Sequence, residues 1–171
     1  MASLLPDRRL RVRFAPSIAR TLSLGAAGQS GGTFVLRVDD GDEAGPGAAG
    51  DAIMRDLRWL GLKWDEGPDA GGSAGPYRRS ERGEVYREHV RRLLETGSAY
   101  ERDGAIWFRT APGRTIVHDL IKGDVAFDHA TFPDFVVRKS NGAVTYSLAA
   151  AVDDATMKID LVLRGEAVRH R

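Results

Sequence analysis

Arginine is the residue type best equipped to do chemistry in this chain, supplying 21 of its 25 basic side chains. A guanidinium presents a planar fork that pairs bidentately with carboxylate or phosphate. Arg13 lies in the run Arg11–Ser17 (RVRFAPS), and six more arginines crowd into 78–92: Arg78, Arg79, Arg82, Arg87, Arg91 and Arg92. The second group could meet phosphates. Glu81, Glu84, Glu88 and Glu95 interleave with it at helical spacings, however, and the plainer reading is a solvated, salt-bridged face. Taken alone, Arg13 reads as a surface strand arginine, Asp39 as a loop-edge acid, and Tyr146 as a strand tyrosine half in the core. Asp153 and Asp154 read as a pair at a helix N-terminus, interacting with its dipole. Thiolate and disulfide chemistry are excluded because there is no cysteine. His89, His118, His129 and His170 are never spaced i, i+3 or i, i+4, so each is expected at the surface or half-buried rather than in a zinc cluster.

The elements that must position these residues change character along the chain. Leu10–Phe14 and Thr33–Val38 read as short strands. Ser17–Gly32 is rich in Gly, Ala and Ser, and Asp39–Gly50 is an acidic, Gly-rich loop. Asp51–Leu62 reads as an amphipathic helix with Ile53, Met54, Leu57 and Leu60 on one face and Gly61 as its stop. Asp65–Pro76 is a loop. Ser80 then sits where an N-cap belongs, ahead of a helix that turns Val85, Tyr86, Val90, Leu93 and Leu94 inward and ends at Gly97. From Ala105 onward the pattern is strand-rich: Ile106–Arg109, Asp124–Phe127, Phe135–Arg138, Val144–Ala149 and Lys158–Leu163. Asn141–Gly142 marks a hairpin turn between two of these runs.

Bulk properties set wide bounds. The chain has 171 residues, 42% hydrophobic and 29% charged, enough for one sizeable core or one domain with a small insert. A net charge of +1 gives no bulk argument for nucleic acid. No apolar run approaches the roughly 20 residues of a membrane helix. The start, MASLLPDRRLRVRF, lacks the pattern of a secretory signal, so a cytoplasmic location is expected.

Four stretches together resemble bacterial glutamyl-tRNA synthetases. They are RVRFAPS at Arg11–Ser17, GGTFVLRVDDGD at Gly31–Asp42, DLRWLGLKWDEGPDAGGSAGPYRRSER at Asp56–Arg82 and KSNGAVTYSLAAAVDDATMKIDLVLRGE at Lys139–Glu166. They occur in the family's order and cover most of the chain. The resemblance implies an α/β class, with an incomplete Rossmann-like class I synthetase catalytic fold and a reduced, strand-rich inserted region. On that basis residues 1–100 form the front of the catalytic domain, 101–140 a shortened insert for the tRNA acceptor end, and 141–171 a truncated return to the catalytic domain. It also implies the family's chemistry: glutamate attacks the α-phosphate of ATP, with Mg²⁺ assisting, and the glutamyl group passes from the adenylate to the terminal ribose of tRNA. Such sites work by positioning and by stabilising charge on phosphate.

Carried over residue by residue, the resemblance implies a glutamate site of Arg13, Ser17, Asp39, Tyr146 and Arg164. Arg13 would grip the substrate side-chain carboxylate, with Ser17 beside it. Asp39 stands where the family usually has Glu, as a contact to the substrate amino group, one methylene shorter. Tyr146 matches a tyrosine near the amino acid, and Arg164 the arginine of the RGE segment. Asp153 and Asp154 match paired acids near the active site.

The nucleotide side departs from the pattern. The family's histidine signature aligns with Ser23, Leu24, Gly25 and Ala26, leaving Ser23 and Gly25 as a degenerate phosphate site. Ser23 can donate a hydrogen bond but carries no charge. Ala167 and Val168 replace an acid and an aromatic or histidine, the family's lysine-rich loop would fall beyond Arg171, and the abbreviated 100–106 region has no zinc site. Losing one charge-stabilising group often costs ~100- to 1,000-fold in rate. No catalytic side chain and no metal ligand is therefore assigned, and three readings stand. The chain is a reduced ligase, weak or inactive unless a partner chain supplies missing parts; or a non-catalytic paralogue that binds glutamate, glutamyl-adenylate, tRNA or a protein; or a truncated remnant.

Overall fold

The computed structural model describes residues 9–12, 32–40 and 48–162. They divide between two compact units, Met1–Gly83 with Ala150–Arg171, and Glu84–Ala149.

The first unit is built on a parallel sheet. Strands β1 (Arg9–Val12), β2 (Thr33–Leu36) and β8 (Leu161–Val162) lie in the order β2-β1-β8. Leu10 is opposite Phe34 on one side and Leu161 on the other. Parallel neighbours must be joined by crossovers rather than hairpins, which is the α/β arrangement expected. Successive strand residues face opposite sides, and both sides of β2 are covered. Val35 packs with Tyr77 and Met157, while Leu36 packs with Met54 and Leu57. A strand buried on both faces explains the continuous apolar run TFVL.

Helix α1 (Ala48–Trp59) supplies Met54 and Leu57 to that core. Gly61, in the left-handed region at φ 74°, closes the helix. Its N–H donates to Arg58 O at 2.8 Å, and the Leu62 N–H donates to Leu57 O at 3.0 Å, the paired bonds of a Schellman cap. Leu60, expected on the buried face, lies beyond the helix end and is exposed. A second correction concerns Ser80. It sits inside a 3₁₀ turn, Arg79–Arg82, with Arg78 at the cap position.

The second unit is antiparallel. Helix α2 (Gly83–Glu95) belongs to it from Glu84 onward and turns Tyr86 and Val90 inward. Val85 and Leu93 are half-buried, whereas Leu94 is exposed. Strands β3 (Ala99–Arg102), β4 (Ala105–Phe108) and β7 (Phe135–Arg138) form one sheet in the order β3-β4-β7. Asp103 and Gly104, both with positive φ, join β3 to β4 in the two-residue turn that suits strand twist. Strands β5 (Arg114–Asp119) and β6 (Gly123–Asp128) make a separate ribbon.

Two expectations fail at the end of this unit. Val144–Ala149 is not a strand: Val144 makes a single bridge to Arg138, and helix α3 (Tyr146–Thr156) begins two residues later. The Asn141–Gly142 turn is present, with Gly142 at φ 85°, but it leads into this helix instead of a second strand. Asp153 and Asp154 consequently lie in the C-terminal half of α3, not at a helix N-terminus.

Candidate functional site

Past Leu36 the chain stays extended and is pinned to the segment before the 3₁₀ turn. The Val38 N–H donates to Tyr77 O at 2.9 Å, and the Arg79 N–H donates to Val38 O at 3.0 Å. In extended chain, residues two apart share a face. Arg37 and Asp39 therefore project together, with Val38 buried between them.

The result is a string of ion pairs within the first unit. Arg37 Nη1 donates to Asp153 Oδ2, and Arg37 Nη2 lies 3.4 Å from Asp39 Oδ2. Arg79 Nη1 reaches the other oxygen of Asp39 at 3.2 Å. Arg82 Nε donates to Asp153 Oδ1 at 2.7 Å, and its remaining nitrogens reach Pro76 O at 2.8 Å and Thr156 Oγ1 at 2.7 Å. The Arg37 and Arg82 side chains are 2% exposed and Asp153 is 0%. Charges this deep persist only when paired and hydrogen-bonded. Asp39 differs in keeping a 20% exposed side chain.

Asp40 points elsewhere and closes the same corner. It accepts from the Ser80 backbone N–H at 2.9 Å and the Ser80 hydroxyl at 2.7 Å. Burial pushes its carboxyl upward, but the two Ser80 bonds, its own backbone N–H and the charge of Arg78 outweigh that, leaving it below the usual carboxylate range. A second clasp holds the loop after α1. Tyr77 Oη donates to Glu66 Oε2 at 2.6 Å, and the Phe34 N–H donates to Asp65 Oδ2 at 2.7 Å.

Of the side chains expected to hold glutamate, Asp39 lies in the first unit. Tyr146 is half-buried in the second unit as the first residue of α3, not a strand residue. Arg13, Ser17 and Arg164, and the phosphate-side Ser23 and Gly25, fall outside the described residues. Arg37, Arg82 and Asp153 were not picked out by sequence reasoning as a cluster. A signal did exist for Arg37, a charged residue directly after the apolar run of a doubly covered strand. For Arg82 there was none, because it sits in a segment whose neighbours do form a surface ladder.

That ladder is real on α2. Arg87 pairs with Glu84, Arg91 with Glu88 and Glu95, and Arg92 with Glu88, all i, i+3 or i, i+4. Arg91, then Arg92, hold the Glu88 carboxyl below its ordinary value, and Arg87 does the same to Glu84. Arg78, Arg79 and Arg82 lie before α2 and pair instead with Asp51, Asp39 and Asp153. The arginine-rich stretch is thus two structures with two purposes. Among the described residues no three His, Asp or Glu side chains are grouped to hold a metal ion, and no helix is long and apolar enough to cross a membrane.

The parallel sheet and the buried ion pairs beside it define an α/β unit, and comparison makes the class specific. The family described as "tRNA synthetases class I (E and Q), catalytic domain" matches residues 9–105 and 108–171, and the chain belongs to it. Glutamate--tRNA ligase 2 of Rubrobacter xylanophilus is 38% identical, over 94% of this chain and 44% of its own length. The Glutamate--tRNA ligase of Methylacidiphilum infernorum is 42% identical, over 91% of this chain and 38% of its own. A crystal structure of a glutamate tRNA ligase from Elizabethkingia meningosepticum, in complex with its amino acid, superposes with a TM-score of 0.80 over 94% of this chain and 44% of that one; at 24% identity it shows the fold. The chain therefore spans less than half the length of these relatives. The Rubrobacter alignment also runs over 216 positions. Subtracting the 171 residues available leaves at least 45 positions of the relative with no counterpart here.

Proposed function

We propose that this chain is a glutamate-recognising catalytic domain of the glutamate–tRNA ligase type, binding the amino acid or its adenylate through Arg13, Ser17, Asp39, Tyr146 and Arg164. The observation that carries the reading is identity of 38% and 42% to two proteins named as glutamate–tRNA ligases, over more than nine-tenths of the chain. Asp39 supports it physically. An ionised carboxylate has about four acceptor sites. Among the described residues two donors reach Asp39, leaving capacity for a substrate ammonium.

Each role follows from chemistry at a named atom. The Arg13 fork would hold the glutamate side-chain carboxylate, Asp39 the α-ammonium, and Arg164 and Tyr146 would flank the amino acid. ATP with Mg²⁺ would supply the phosphate that activates the carboxyl group, and tRNA would be the acceptor. Ser23 and Gly25 belong to the segment that would face the phosphates, and a serine there cannot replace the cationic help of a histidine. Activity of the chain alone is therefore expected to be weak, unless a partner chain contributes phosphate-stabilising groups. That same substitution supports a second reading, a paralogue that binds without catalysing.

Calorimetric titration with a non-hydrolysable glutamyl-adenylate analogue tests both readings. Binding by the wild-type chain, weakened ~10-fold or more in Arg13→Ala, is the expected result. No heat from a sample that still melts cooperatively would remove the glutamate site. Binding without detectable ATP–pyrophosphate exchange would favour the non-catalytic reading.

A further inference from the structure

We infer that Arg37 is a positioning residue for Asp39, and that its own position is set by the fully buried Asp153. The inference rests on the proposed glutamate site and names how its ammonium contact is aimed.

Asp39 is held at both carboxylate oxygens, Oδ1 by Arg79 and Oδ2 by Arg37. One donor on each oxygen fixes the plane of the group, which a single donor cannot do. Contacts of 3.2 and 3.4 Å are longer than the ~2.7–2.9 Å of a strong charge-assisted bond. They orient the carboxylate without filling its lone pairs. Arg37 can act as a fixed reference only if its own fork is immobile. One of its terminal nitrogens is on Asp153, whose second oxygen is taken by Arg82. Arg82 is tied in turn to Pro76 O and Thr156 Oγ1. Each link uses a separate atom, so Asp39 is referred back to the 3₁₀ turn and to α3.

Charge points the same way. Among the described residues three guanidiniums, Arg37, Arg79 and Arg82, pair with two carboxylates, Asp39 and Asp153. The Asp39 side chain, 20% exposed, is the one of the two carboxylates open to a ligand cation. An aspartate, shorter than glutamate, has less reach with which to adjust, and a preset carboxylate plane compensates for that.

The experiment compares two ligands on the full chain. One is the non-hydrolysable glutamyl-adenylate analogue. The other is its des-amino counterpart, which keeps the side-chain carboxylate and the adenosine but lacks the ammonium. Arg37→Gln is expected to weaken the amino-bearing ligand ~10-fold or more and to leave the des-amino ligand within about twofold. Arg37→Lys should fall between, having charge but no fork. Arg79→Gln, at a side chain 15% exposed, should show the same selectivity at about threefold, and it decides the matter should Arg37→Gln fail to melt cooperatively. Equal loss for both ligands, or no loss, overturns the positioning role while the glutamate site stands. Absence of binding by the folded wild type to either ligand overturns the site and this inference together.

Discussion

The two units use the same residue pair, arginine and carboxylate, in opposite ways. In the first unit Arg37, Arg82 and Asp153 are sealed from solvent. In the second, α2 carries Arg87, Arg91 and Arg92 on its outer face, each more than half exposed beside its glutamate. Water already solvates the outer charges, so their pairing adds little. The inner charges have given up their hydration, and their pairing is what makes that burial tolerable. Contacts that look alike in a structure can therefore differ several-fold in what their loss costs. The buried set joins segments far apart in sequence, whereas the exposed set joins only neighbours on one helix.

The sharpest way to break that comparison is Asp153→Asn. It leaves two guanidiniums facing a neutral amide in a site closed to water. Removing one partner of a buried pair costs about 3–5 kcal/mol, so the urea midpoint should fall well outside error, with the protection of amides around Val35–Val38 lost first. A shift no larger than that of a surface substitution would mean the site rehydrates, and the contrast between the units would collapse.

Gly72→Ala should rank next. Gly72 has φ 128°, and an added Cβ would sit 2.5 Å from both Glu66 Cγ and Tyr77 Oη. Both neighbours are fixed to each other by the Tyr77–Glu66 bond, so neither can move away without breaking it. A cost of roughly 2 kcal/mol or more is expected from backbone strain plus overpacking, read as a lowered thermal midpoint. Tyr77→Phe combined with Gly72→Ala should recover part of it, because the phenolic oxygen is one of the three clashing atoms.

Ser80→Ala is smaller and depends on pH. The Asp40 carboxyl is depressed in the folded state by the Ser80 bonds, against the upward push of burial. The unfolded chain therefore takes up this proton first as pH falls. Stability from Asp40 is full above its unfolded value of ~3.9 and is lost as pH drops through the lower folded value. Removing the hydroxyl should cost about 1.5 kcal/mol at neutral pH and flatten the acid limb of a plot of stability against pH. An unchanged acid limb would show that the contacts left in place, the backbone N–H groups of Ser80 and Asp40 and the charge of Arg78, set the depression.

Much of the architecture was legible in the sequence because period-two and period-3.6 patterns survive wherever one face is buried. Strands β1 and β2 and the buried Met54 and Leu57 of α1 follow from them, as does α2 with Tyr86 and Val90. Val144–Ala149 misled because Val144, Tyr146 and Leu148 alternate like a strand, while the three alanines after Leu148 favour a helix. Strand β5 was missed because its ribbon buries almost nothing, so Arg114–Asp119 has no alternation to read. Strand β3 hid its signal in the turn rather than the strand, since Asp103–Gly104 is a strong hairpin pair. Asp39 could be chosen as a site residue from its place in a motif. Its dependence on Asp153, more than a hundred residues later, could not, because only the fold decides which distant charges share a buried corner.

Glu88→Gln should have the smallest effect and is the control that gives the others meaning. Glu88 accepts from both Arg91 and Arg92, more arginine bonds than any other acid on α2, and those bonds hold its carboxyl below the ordinary value. If pairing in itself stabilised the molecule, this substitution should hurt about as much as Asp153→Asn. Exposure argues otherwise, because the two arginines turn to water once the carboxylate is gone. The melting midpoint should stay within error of wild type at physiological salt, with any difference confined to low ionic strength, where surface charges are less screened. A clear drop at high salt would show that α2 relies on its ladder after all, and exposure would no longer explain why the two units treat the same pair so differently.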